Sequence, residues 1–263
     1  MKRLLRQTTV FTTNTIWEAL RNKTFYAVLI AAALAMAAAT TFGAISLRQD
    51  ERIFNNLVYF AGMLILVALA VYQGVTALHR EIDSKTIFTV LSKPVTRGVF
   101  LFGKFVASAV ILTLCAVLMF GFTSLVALFL GHAVTTAHLG VYFAGLLQLI
   151  MIVAVGFLFS TFSVSGPLLS ALFTFSIFLV GSLTPQIEDA SREFSADGNP
   201  IYILLDFTLY IVPDFEKFNL SYELTHSIDI PPSYFLHAFG YAATIVIFSL
   251  LLSHLIFSRR DFA

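Results

Sequence analysis

Long uncharged runs separated by short charged islands set the pattern of this 263-residue chain. The longest run, Phe105 to Ile187, contains no Asp, Glu, Lys or Arg. A bilayer core takes about 20 apolar residues per helical crossing, so this run alone has room for three. It divides at GHAVTTAH (Gly131 to His138) and at SVSGP (Ser163 to Pro167), both short turn-like breaks. With two runs before it and one after, six spans are predicted, at about 24–47, 53–78, 105–130, 139–162, 168–183 and 234–257. These runs lack the two-residue alternation of a membrane barrel. Helices are therefore the spanning element, since backbone groups in hydrocarbon must bond within their own segment. The expected fold is an all-α integral membrane protein forming one domain over 1–263. An interfacial helix at 1–23 precedes the spans, 79–104 joins the second and third, and 184–233 precedes the last.

Composition agrees with this class. Hydrophobic residues make up 58% of the chain and charged residues only 12%, against about 25% charged in soluble domains. Charge also sets orientation. With six spans, 1–23, 79–104 and the C-terminal tail share one side, which carries twelve of the sixteen basic residues. The other side has only Arg48, Arg52, Arg192 and Lys217, and eleven of the fifteen acidic residues. Basic residues favour the cytoplasmic side, so both termini and the 79–104 island are expected in the cytosol. The N-terminus reads as an interfacial helix rather than a signal peptide. A polar stretch, QTTVFTTNT, follows its basic MKRLLR, while Ile16, Trp17 and Leu20 share one helical face.

Most enzymatic chemistry can be set aside. GVFLFGKF (Gly98 to Phe105) superficially fits a phosphate loop, but Phe105 stands where a magnesium-binding hydroxyl belongs. Its bulky apolar residues would also keep backbone amides away from phosphate, so this stretch reads as the entry to the third span. His132, His138, His226 and His237 have no ligand spacing with Cys or carboxylates, and Cys115 is the lone cysteine. Neither G-x-S-x-G nor H-E-x-x-H occurs. The spans hold no Asp, Glu, Lys or Arg, and their histidines are His237 and His254 near the two ends of the last, which argues against a proton relay. No metal, cofactor or nucleic acid is expected on this chain.

Two stripes of small residues suit close helix packing: Ala31, Ala35, Ala39 and Gly43 in the first span, and Gly166, Ser170 and Thr174 in the fifth. Either is a candidate dimer contact. The outer segment carries nine acidic residues, and its apolar stretch IYILLDFTLYIV (Ile201 to Val212) lies between Pro200 and Pro213. Twelve residues are too few to cross as a helix, but enough to dip into the outer leaflet. A structural lid is one reading. Contact with transported material through Tyr202, Asp206 and Tyr210 is the other.

The island HREIDSKTIFTVLSKPVTRGVFLFGK (His79 to Lys104) must face water between two apolar spans. Asp83 can cap a short helix with Ile87, Val90 and Leu91 on one face, and Pro94 would end it. Arg80, Glu81, Asp83 and Lys85 give it a polar rim. The pattern resembles the permease subunits of type-2 ABC exporters at Glu81, Thr86, Val90, Leu91, Pro94, Thr96, Arg97, Gly103 and Lys104. Lys85 departs from it, since a glycine is commoner there. PDFEKFNL (Pro213 to Leu220) and the terminal FSRRDF are also similar to that family. The likeness extends over the whole chain and is closest to the small stand-alone permeases of copper-enzyme maturation and gliding motility.

The resemblance implies a permease pairing with a second copy or a paralogue and with separately encoded ATP-binding subunits, which would hold ATP and magnesium. Residues Glu81 to Leu91 would form a coupling helix, and Pro200 to Val212 a re-entrant outer helix. The setting would be a plasma membrane, the inner membrane in a bacterium. The leading expectation is the membrane subunit of an ATP-driven exporter. The alternative is a scaffold or mechanotransmitter passing ATPase motion to an envelope protein without transport.

Overall fold

In the computed structural model the described residues are 13, 17, 26, 30, 34, 37, 50–83, 97–131, 134–162, 166–226 and 228–259. They are almost wholly helical. In chain order they form α1 (Asp50–Asp83), α2 (Arg97–Phe129), α3 (Thr136–Phe162), α4 (Pro167–Ser182), α5 (Thr184–Ala196) and α6 (Ile201–Ile211). A 3-10 turn (Glu216–Phe218), α7 (Ser221–His226) and α8 (Pro232–Arg259) follow. The expected first span lies outside the described residues apart from Tyr26, Ile30, Leu34 and Ala37, and the interfacial helix apart from Thr13 and Trp17. All six are helical and exposed.

Four described helices are long and apolar enough to cross a membrane: α1 over Asn56–Arg80, then α2, α3 and α8. Counting α4 and α5 together gives a fifth, bent by 64°. The expected fifth span is thus a short helix of 16 residues, about 24 Å long, that turns into α5 at Leu183. The expected start of the third span also shifts. Helix α2 begins at Arg97, and α1 runs on to Asp83, so helices enter the charged island from both sides. Hydropathy placed the boundary where charges begin, whereas the backbone stays helical past it, with Arg80 and Arg97 each bonded as shown below.

Helix α3 is the centre of the bundle, packing against α1, α2, α4 and α8. A helix apolar all round belongs inside, and Ala144, Leu149, Met151, Ile152, Val153 and Ala154 are all fully buried. Helices α1 and α3 run parallel and meet through small residues. A β-carbon on Gly74 would lie 2.8 Å from the Val153 carbonyl oxygen and 3.1 Å from Gly156 Cα. One on Gly156 would lie 3.0 Å from Gly74 Cα. Only glycine at both positions allows this backbone contact. Towards their N-terminal ends, Met63 and Tyr59 of α1 face Gly145 of α3.

Helix α8, by contrast, has 17% of its most apolar window buried. Leu236, Phe239, Phe248 and Leu251 each leave more than half their surface open. Phe122, Leu125, Leu128 and Phe129 of α2 are exposed as well. Such an apolar belt suits hydrocarbon rather than water.

Candidate functional site

The two ends of the charged island are built into the bundle. At the end of α1, His79 is 5% exposed, and its Nδ1 lies 2.8 Å from Ser160 Oγ of α3 and 3.1 Å from the Val75 carbonyl. Ser160 Oγ also donates to the Val75 carbonyl at 3.1 Å. One turn beyond the Gly74–Gly156 contact, this polar knot fixes the last turns of α1 to α3. Arg80, exposed, bonds the Tyr72 hydroxyl and lies 5.5 Å over its ring. Glu81 and Asp83 are helical, in the final turn of α1.

At the start of α2, Arg97 donates to the carbonyls of Phe257 at 3.1 Å and Ser258 at 2.9 Å. These belong to the last turn of α8, where carbonyls have no helical donor and a cation meets the negative end of the helix dipole. Gly98 sits against the His254 ring, which a β-carbon would approach to 3.0 Å. Phe100 stacks on Phe257 with centroids 6.2 Å apart. Arg97 and Gly98 therefore clamp the C-terminal end of α8. Gly103 and Lys104 lie on the buried side of α2, Lys104 at 6% exposure, so this lysine packs within the protein instead of reaching outward. The stretch resembling a phosphate loop is helix throughout, not a loop wrapped around an anion.

Of the other expected coupling residues, Lys85, Ile87, Val90, Leu91 and Pro94 lie outside the described residues. So do Ala31, Ala35, Ala39 and Gly43. In the second stripe, Gly166 caps α4 with φ of 109°. Ser170 donates to the Phe159 carbonyl at 3.2 Å, and Ser170 and Thr174 are fully buried within this one chain. Ser170 thus ties the start of α4 to the end of α3.

The outer segment is folded over the bundle. Phe215 and Phe218 are fully buried. The Phe215 amide donates to the Gly181 carbonyl at 3.0 Å, and Gln148 Nε2 donates to the Phe215 carbonyl at 3.3 Å. The Asp214 amide donates to the Tyr241 hydroxyl at 2.8 Å, while Lys217 bonds the Asp214 carboxylate at 3.2 Å. Helices α5 and α6 pack as a pair, with Ser191 donating to Asp206 at 2.6 Å. The apolar stretch is thus a helix of 11 residues starting after Pro200, and its aspartate has a partner. Tyr202, Asp206 and Tyr210 follow at four-residue spacing along α6, Tyr202 half-buried and Tyr210 90% exposed.

Beneath the outer segment lies a cleft of about 340 Å³ between α1 and α4. Its apolar walls are Phe60, Met63, Leu64 and Val67 on one side and Phe178 and Leu179 on the other. At its polar end stand Asn56, Gln148, Ser182, Glu216, Asn219 and Ser221. Burial pushes the Glu216 carboxyl above the usual carboxylate range, and Asp214 adds to this, while a hydrogen bond from Asn219 at 2.9 Å opposes it. Sequence reading missed this cleft, the His79–Ser160 knot and the role of Arg97. Each joins residues far apart in the chain.

The family model described as ABC-2 family transporter protein matches residues 18–262. No curated protein matches the chain. The match takes in nearly every residue, including the charged island and the outer segment, and the chain belongs to the ABC-2 transporter family as a membrane permease of an ABC transporter.

Proposed function

We propose that this chain is the membrane subunit of an ATP-driven exporter, in which the 79–104 island receives the motion of a separately encoded ATPase. Family membership implies an ABC ATP-binding partner. The observation carrying the coupling role is that both ends of the island are tied to other helices: α1 through His79 to Ser160, and α2 through Arg97 to the end of α8. A push on the island therefore reaches four helices at once: α1, α2, α3 and α8. In this reading the island and both termini are cytoplasmic, and a second permease copy or paralogue completes the complex. The architecture is that of the small stand-alone permeases, in a bacterial inner membrane.

The test is charge reversal at the end of α1. Glu81→Lys is expected to insert and express like wild type, yet to weaken ATPase copurification and substrate-stimulated turnover by about tenfold, since reversal adds repulsion to the lost attraction. Glu188→Lys, in the outer segment, is expected to change neither. Wild-type assembly and turnover in Glu81→Lys would remove the coupling role.

A further inference from the structure

We infer that the cleft between α1 and α4 binds a single-chain cationic amphiphile, its apolar chain between the two helices and its ammonium head against Glu216. About 340 Å³ falls at the small end of ligand clefts, which run from roughly 300 to 1,000 Å³. It has room for one chain rather than a two-chain lipid. Polarity along the cleft is graded: Leu64, Val67 and Leu179 form apolar wall, while Asn56, Asn219 and Glu216 stand at the polar end.

The charge at that end is specific. Glu216 is the carboxylate on the lining, and no cation pairs with it among the described residues. The nearby Lys217 is committed to Asp214 at 3.2 Å and lies 4.9 Å over the Tyr241 ring. Tyr59, 7% exposed, lines the cleft with Phe60 and Phe178. Aromatic side chains in the same cleft as a carboxylate are surroundings that favour an alkylated ammonium. The site is argued from the cleft alone and holds whatever the direction of transport.

The full chain, free of ATPase and placed in phosphatidylcholine nanodiscs, is labelled with a decyltrimethylammonium probe carrying a photoreactive diazirine in its chain. Mass spectrometry is expected to place the label between Phe60 and Val67 and at Phe178 or Leu179. Glu216→Gln should reduce labelling about tenfold, the weight of one charge-assisted contact. Leu64→Trp should abolish it by filling the cleft. Both variants should unfold at wild-type temperature. Unlabelled decyltrimethylammonium should compete, whereas decanol and decanoate should not. Equal labelling in Glu216→Gln, equal competition by decanol, or label confined to α8 would overturn the site. So would loss of label on adding phosphatidylethanolamine, which would make the occupant a membrane lipid, or cross-linking of Leu64→Cys between two copies without any labelling. Glu81→Lys, by contrast, is expected to label normally, so a failure of coupling and a failure of this site read out differently.

Discussion

Two glycines in helix interiors show how differently one residue type can be constrained. Gly181 ends α4 under the outer segment, and a β-carbon there would lie 2.1 Å from the Pro213 carbonyl oxygen and 2.6 Å from the Phe215 ring. Gly121 in α2 has nothing within 4 Å of that point. Gly181→Ala is expected to cost about 1–3 kcal/mol, because backbone cannot yield as a flexible side chain can. Gly121→Ala is expected to be neutral or to gain up to about 1 kcal/mol of helix propensity. Thermal unfolding in detergent checks both, and similar melting temperatures for the two variants would contradict the packing described. Gly74 and Gly156 are of the first kind, since each stands where the other's side chain would have to go.

At the level of the element, the C-terminal end of α8 depends on a residue 160 positions earlier in the chain. Arg97→Ala removes the donor to the Phe257 and Ser258 carbonyls. It is expected to fray the last turn of α8 at a cost of about 1–2 kcal/mol. Hydrogen exchange over residues 254–259 reads this directly, and unchanged protection would show that α8 holds itself. Arg97→Lys should recover only part, since one ammonium is a point charge rather than a fork. This contact also marks where sequence reading stops. The apolar runs of α1, α2, α3 and α8 were legible because a bilayer imposes a length and a composition on each segment separately. The extension of α2 back to Arg97 was not, because it depends on carbonyls belonging to another helix. The bond from Ser170 to the Phe159 carbonyl was likewise beyond what spacing alone conveys. The glycines of α1 and α3 carried no stripe at all, and only their meeting gives them meaning.

Across the whole molecule, the apolar belt and the distribution of charge set a topology that can be tested by access. Cysteines replacing Asp50 and Asp197 are expected to react with an impermeant reagent added to intact cells, and one replacing Lys85 only after the membrane is opened. Reaction at position 85 in intact cells would reverse the orientation. Helix α1 links the two sides. Its 34 residues make a rod about 50 Å long. The wall of the cleft, from Asn56 to Val67, lies towards one end, and Asp83, where the island begins, is the other. Because the Gly74–Gly156 contact and the His79–Ser160 bond join α1 to α3, α1 is expected to tilt as a rod and not to bend. A tilt of about 5° about the middle of such a rod moves each end by about 2 Å in opposite directions. For such a rod the width of the cleft and the position of the island end are one coordinate of a lever, and a change in either carries the other with it.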